Sequence, residues 1–192
     1  MRALMTLVVA ATVACRSHAP NERIAKLAVD AATGDSTAQY NLAVELYRGD
    51  SVSRDYTKAA ALWKQNMEQG SINATNNYAY LLYYGLGIAK DERRAVTLWK
   101  RAAALGQPES DFHLGAAALD GSGEPIDTAE AVARYRAALV LAMTSSDSTD
   151  RLVARDVRVA IAQLPPLAYA DKLRADSLFR TYTQQLLGRR HQ

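Results

Sequence analysis

Apolar and small residues recur along the chain at helical spacing and, over a longer distance, at a fixed step. Trp63 and Trp99 stand 36 residues apart, and one more step reaches Tyr135. The same step carries Gly49 to Gly85 to Gly121, Asp55 to Asp91 to Asp127, Ala59 to Ala95 to Ala131, and Ala43 to Ala79 to Gly115. Self-similarity at such a period marks a stacked repeat, and each unit divides into two helical patterns. Helix A is predicted at about 36–48, 72–84 and 108–120, each closed by a glycine that tolerates positive φ. After a loop, Asp55, Asp91 or Asp127 stands where an N-cap accepts backbone N–H groups. Glu130, three residues after Asp127, would complete a capping box. Helix B then runs to about Gln69, Leu105 and Ala142, with Gly70 and Gly106 ending the first two.

Alanines recur where two helices must approach closely, and Trp63, Trp99 and Tyr135 recur where a wider gap must be filled. No single hairpin can bury its apolar face, so neighbours must stack. The expected fold is all-α: a right-handed α-α solenoid of about three helix hairpins with N- and C-terminal capping helices. The segment 24–33 fits an isolated helix B, with Leu27 at the tryptophan position and Gly34 at the terminating position. Beyond the repeats, Val153, Val157, Ala160, Ile161 and Leu164 share one helical face, and Pro165-Pro166 breaks that helix. A last helix carries Ala175, Leu178, Phe179, Tyr182 and Leu186 on one stripe. The predicted organisation is a signal peptide at 1–14, a linker at 15–21, the solenoid at 22–142, a Ser/Thr-rich loop at 143–149 and capping helices at 150–192.

Composition agrees with close-packed helices: of 192 residues, 49% are apolar but only 7% aromatic. A net charge of +3, scattered apart from Arg189-Arg190-His191, leaves no nucleic-acid footprint. The N-terminus changes the picture more. MRALMTLVVAATVAC has one basic residue, Arg2, a short apolar core, and small residues before Cys15, the single cysteine. The run is too short to cross about 30 Å of hydrocarbon, so it reads as a cleaved export signal. It resembles a bacterial lipoprotein signal, in which the cysteine is lipidated and becomes the new N-terminus. Thr12 stands where leucine is usual, and an ordinary signal peptide cut near Ala14 is the alternative.

The units resemble the Sel-like repeat (SLR), a relative of the tetratricopeptide repeat, over roughly 38–142. The clearest copy is ATNNYAYLLYYGLGIAKDERRAVTLWKRAAALG, with AQYNLAVELYRGDSVSRDYTKAAALWKQNMEQG before it and SDFHLGAAALDGSGEPIDTAEAVARYRAALVLA after it. Asp50-Ser51 in the first loop and Glu124-Pro125 in the third depart from the family's G-x-G pattern. A plain tetratricopeptide array has a period of about 34 residues and is less similar. The resemblance implies a protein-interaction role without cofactor, metal or catalytic residue. With the signal, the expected protein is a lipid-anchored adaptor or scaffold of the bacterial cell envelope, on the periplasmic side. It would bind a protein or peptide partner, touch the membrane through the Cys15 lipid, and bind no nucleic acid. The alternatives are a secreted soluble form, and a regulatory subunit of an envelope hydrolase or that hydrolase itself.

Candidate chemistry is sparse. Gly85-Leu86-Gly87 and Lys90 suggest a phosphate loop, but they follow a helix instead of a strand and lack the third glycine. Gly49-Asp50-Ser51 and Gly34-Asp35-Ser36 look like an esterase nucleophile block, yet both fit helix-ending glycines followed by capping residues. His18, His113 and His191 have no metal-ligand spacing, and nothing selects Asp120 and Glu124 as an acid/base pair. Comparing the copies, helix A carries a stripe that changes between units: Thr37, Asn41, Val44, Arg48; then Asn73, Asn77, Tyr80, Tyr84; then Glu109, His113, Ala116, Asp120. Its spacing keeps each set on one face. The expected partner groove comprises Asn41, Arg48, Asn77, Tyr80, Tyr84, His113 and Asp120, with Tyr80 and Tyr84 as central anchors. Packing between adjacent A helices is the other role open to those tyrosines. For His113 the alternatives are a binding surface and a simple exposed side chain.

Overall fold

The computed structural model describes residues 22–122 and 124–189, all of whose regular elements are helices. The signal peptide, the 15–21 linker with Cys15 and His18, and His191 lie outside the described residues. Three hairpins form the body: α2 (Ser36–Arg48) with α3 (Tyr56–Glu68), α4 (Ile72–Tyr84) with α5 (Glu92–Ala103), and α6 (Pro108–Asp120) with α7 (Thr128–Thr144). Each helix packs against the next in sequence, and α1 (Glu22–Ala32) covers α2 as the first cap.

Local chemistry sets the helix ends. Gly49, Gly85 and Gly121 close α2, α4 and α6 in the left-handed region, at φ 76°, 67° and 68°. The carboxylates of Asp55, Asp91 and Asp127 accept from the backbone N–H groups of Lys58, Arg94 and Glu130. Their own N–H groups donate to the carbonyls of Leu46, Leu82 and Ala118 at 2.9, 2.9 and 2.8 Å, so one bond pins every interhelical loop. That bond also corrects the capping-box expectation. The Asp127 N–H is already taken, and the Glu130 carboxylate accepts from Arg134 and Tyr182 instead. The esterase-like blocks resolve into caps: Asp35 caps α2, and Ser51 follows the glycine that ends it.

Alanine and tryptophan divide the core as the repeat requires. Ala43, Ala59, Ala79, Ala95 and Ala131 have no exposed surface, while Trp63, Trp99 and Tyr135 are buried. An indole buries about 200 Å² and contributes on the order of 5 kcal/mol of transfer free energy. The third unit solves the packing differently: a Cβ at Gly115 would stand 2.5 Å from Tyr135 Cε1, so the ring occupies the room an alanine would take. The core therefore runs continuously from Ala43 to Ala117, with a second cluster around Tyr135, Ala138 and Val157.

At the C-terminal end, α8 (Ser148–Ala162) packs on α7 and α6, as the next helix A of the stack would. Helix α9 (Tyr169–Arg189) turns back along α7. Its ties are largely polar: Arg174 to Asp127, Asp176 to Arg136, and Tyr182 to Glu130, with Arg134 3.7 Å over the Tyr182 ring. The Ser/Thr-rich loop expected at 143–149 is shorter, residues 145–147. The Thr144 hydroxyl donates to the carbonyls of Val140 and Leu141, which prolongs α7, and Asp147 caps α8 two residues earlier than expected.

Gly87 tests the inter-unit fit. It sits at φ 70°, where a Cβ would come within 2.5 Å of backbone atoms of Tyr56 and Thr57 at the start of α3. Gly34, at φ 94°, has open space around it. Thermal or urea unfolding should show Gly87→Ala costing about 3 kcal/mol and Gly34→Ala about 1 kcal/mol, because only the first adds a backbone clash to left-handed strain.

Candidate functional site

The A helices of the three hairpins bring one face of each to a common cavity of about 370 Å³. Tyr40, Val44, Tyr47 and Arg48 of α2 line it, with Asn76, Asn77 and Tyr80 of α4 and Glu109 and His113 of α6. Thr149, in the first turn of α8, closes the far side, and Trp63 contributes from α3. The groove is therefore a bowl whose far wall is the C-terminal cap.

Aromatic rings form a chain along its wall. Tyr47 meets Trp63 at 5.6 Å and Tyr80 edge-on at 6.2 Å; Tyr80 meets Tyr84 at 4.6 Å and His113 at 5.4 Å. His113 stacks on Trp99 at 4.8 Å with 25° between the planes. Beneath these rings, a hydrogen-bond relay fixes the polar side chains. Trp99 Nε1 donates to the Asn76 carbonyl at 3.2 Å, and Ser110 Oγ donates to Asn76 Oδ1 at 2.8 Å. Asn76 Nδ2 then donates to Glu109 Oε2 at 2.9 Å, and Asn77 Nδ2 to the Tyr40 hydroxyl at 3.2 Å. Trp63, at the position equivalent to Trp99, has no acceptor for its buried indole N–H among the described residues.

Burial sets the electrostatics. It lowers the His113 imidazole to about 4, so this side chain is neutral at physiological pH. It raises the Tyr47 phenol to about 12, with the Tyr80 hydroxyl adding to the shift, and it raises the Glu109 carboxyl, with Asp150 as a second cause. Glu109 has no ion pair among the described residues; its one side-chain bond is to Asn76.

Of the expected groove residues, Arg48, Asn77, Tyr80 and His113 line this cavity. Tyr84 and Asp120 do not, though the Tyr84 ring meets Tyr80 at a tilt with 52% of its surface exposed. Asn41 is exposed and outside the lining, because the groove face of α2 is centred one residue earlier, on Tyr40. His113 is not a simple exposed side chain: it is half-buried against Trp99. Tyr80 packs between Tyr47 of α2 and His113 of α6 and also lines the cavity. Tyr40 and Tyr47 were not anticipated, and neither was Glu109 as a lone acid.

A second, larger cavity of about 580 Å³ lies between α5, α6, α7 and α9. Arg134 there bonds Asp111 at 2.9 Å and Glu130 at 2.8 Å. Asp111 is the third copy of a buried polar position whose earlier copies are Gln39 and Thr75, and that step was readable in the sequence. Here each acid has a partner in the fold: Asp111 and Glu130 hold Arg134, Asp127 holds Arg174, and Glu124 holds Lys100 rather than Asp120. This cavity holds α9 in place and offers no unanswered charge. Among the described residues no cluster of His, Cys, Asp or Glu could hold a metal ion, and no helix is long and apolar enough to cross a membrane.

Stacked hairpins with an aromatic groove on their A helices define an α-helical repeat protein of the solenoid class. Two stretches of the chain, residues 36–71 and 72–107, match the Sel1 repeat. The third hairpin, with Gly115 and Tyr135, follows the same plan outside the matched residues. Among solved structures, the chain is similar to a protective antigen of uropathogenic Escherichia coli strains displaying an SLR fold, at TM-score 0.66 and 22% identity. That likeness covers 86% of this chain and 34% of the antigen, so the chain spans about a third of its length. It is also similar to a Sel1 repeat protein from Oxalobacter formigenes, at TM-score 0.51 and 24% identity, covering 71% of this chain and 99% of that one. Both likenesses establish the fold. No curated protein matches the chain.

The neutral His113 has a pH consequence. Its pKa is near 6.5 when unfolded and about 4 when folded, so the unfolded state takes up the proton first. Its contribution is complete above pH 6.5 and is lost as pH falls towards 4, by about 3 kcal/mol in all. Asp111, raised to about 6, acts in the opposite sense over that range. His113→Phe, which keeps the ring and leaves Asp111 in place, should lose less stability than the native protein when urea unfolding at pH 7 is repeated at pH 4.5.

Proposed function

We propose that this protein is an exported, lipid-anchored adaptor of the bacterial cell envelope that holds a segment of a partner protein in the A-helix groove. The observation that carries this reading is the groove itself. It is an aromatic, hydrogen-bonded concavity built by successive repeats, in a chain with two Sel1 repeats. Repeat solenoids use such concave surfaces for binding, and tyrosines offer large contact area with a polar tip. The relay through Asn76 and Asn77 holds Glu109 and Tyr40 in place before a partner arrives, which lowers the ordering cost of binding. The family suggests a protein-interaction scaffold. Export and anchoring rest on residues 1–15 alone, where a short apolar run ends in small residues before Cys15. The expected periplasmic location follows from that segment and from no other feature.

Two measurements test the reading. A photoreactive residue at exposed position 84, beside Tyr80, should crosslink a protein partner in intact cells. Tyr80→Ala should cut that capture by about tenfold or more while helical content is retained, as for loss of an interface anchor. Capture unaffected by Tyr80→Ala would remove the groove from the function. For the anchor, Cys15→Ser should move the protein from the membrane fraction to the soluble fraction, and unchanged membrane association would sink lipidation.

A further inference from the structure

The groove carries a charge that the fold leaves unanswered. Glu109 is half-buried in the first turn of α6, and its carboxylate receives one hydrogen bond, from a neutral amide. The acids of the second cavity are treated differently: Asp111 and Glu130 both hold Arg134. The helix dipole of α6 favours an anion at Glu109 but brings no counter-charge to the groove side. Among the described residues Arg48 is the one cation lining the cavity; it is exposed and forms no ion pair with Glu109. His113 cannot supply a proton's charge, since burial keeps it neutral. Asp150 lies near enough to oppose ionisation of Glu109, and Tyr40 feels the charges of Glu109, Arg48 and, last, Asp147. The groove thus sets Glu109, without an ion pair among the described residues, beside a set of aromatic rings, with Asp147 and Asp150 nearby and Arg48 as an exposed cation at its lining.

No cation occupies the faces of Tyr40 and Tyr80 among the described residues, whereas cations sit over Tyr56, Tyr78, Phe179 and Tyr182 elsewhere. Electron-rich ring faces beside a carboxylate of low solvation attract an ammonium or guanidinium group, and the attraction strengthens as water is excluded.

We infer that the groove receives a lysine or arginine side chain of the partner, its cation seated against the Glu109 carboxylate and the rings of Tyr40 and Tyr80. This rests on the adaptor reading and names the chemistry of the segment held. A basic side chain answers Glu109 and the acids at the start of α8, and its aliphatic stem fits along Val44 and the tyrosines. An acidic segment would meet Glu109, Asp147 and Asp150 with like charge and is rejected.

The test uses the mature chain and blocked tripeptides with Lys, Arg, acetyl-lysine or Glu at the centre, followed by amide chemical-shift titration. The Lys and Arg peptides should shift the amides of Tyr40, Tyr80 and Glu109. Acetyl-lysine, which keeps the stem and loses the charge, should bind about tenfold more weakly, equivalent to about 1.4 kcal/mol. Glu109→Gln, which can keep the Asn76 bond, should lose the preference for Lys over acetyl-lysine. A second variant, Tyr40→Leu, should weaken the Lys peptide more than the acetylated one. Equal binding of Lys and acetyl-lysine peptides, a preference for Glu, or no shift with either basic peptide overturns the inference. Failure here with groove-dependent crosslinking intact leaves the adaptor reading standing. Lysine binding without any crosslinked partner defeats the adaptor reading alone.

Discussion

The burial of Trp99 holds the middle of the molecule together, and the groove depends on it. The indole sits with 1% of its surface exposed between α4, α5 and α6, and its N–H is spent on the Asn76 carbonyl. Its faces support Tyr83 and His113, and His113 in turn meets Tyr80. One buried ring therefore sets the spacing of two hairpins and the floor on which the groove side chains rest. The alanines opposite are the other half of the same constraint, because only a methyl group lets helices approach closely enough to enclose an indole. Where the third unit exchanges tryptophan for Tyr135, the alanine partner becomes Gly115 and the continuous core ends.

The two cavities show how charged residues of one repeat unit can serve opposite ends. Around Arg134 the fold brings acid and base together, and the resulting network ties α9 to α7. Such a network costs desolvation of several charges and is sustained only because each finds a partner. On the A-helix side the polar groups are held by amides, and the charges are left facing a concavity. The larger cavity is thus a joint in the structure, while the smaller one leaves Glu109 without an ion pair among the described residues.

Much of the architecture was legible along the chain because it rests on short-range chemistry. Asp55, Asp91 and Asp127 cap helices through their own local hydrogen bonds, and Gly49, Gly85 and Gly121 end them because of backbone geometry. The 36-residue step then placed Trp63, Trp99 and Tyr135 in equivalent sites. The groove was legible only in part. Arg48, Asn77, Tyr80 and His113 of the variable stripe line the cavity, whereas Asn41 does not and Tyr40 and Tyr47 do. Tyr47 and Tyr83 occupy the same repeat position, yet one lines the groove and the other is buried against Trp99. Helical periodicity fixes which residues share a face, while the tilt of stacked hairpins decides which face meets the cavity.

By itself, then, the sequence determined the helices, their caps, the hairpin order and the repeat family, since each depends on residues a few positions apart or on one recurring step. Tertiary structure decided what Glu109 and Arg134 mean. Both are charged residues in helices, and the chain alone does not show which of them meets an opposite charge from another helix. Glu130 stands one turn before Arg134 on α7, but only packing brings Asp111 to it from α6, and among the described residues no cation pairs with Glu109. Whether a charge is answered depends on which distant side chains share its low-dielectric surroundings, and only the folded chain sets that.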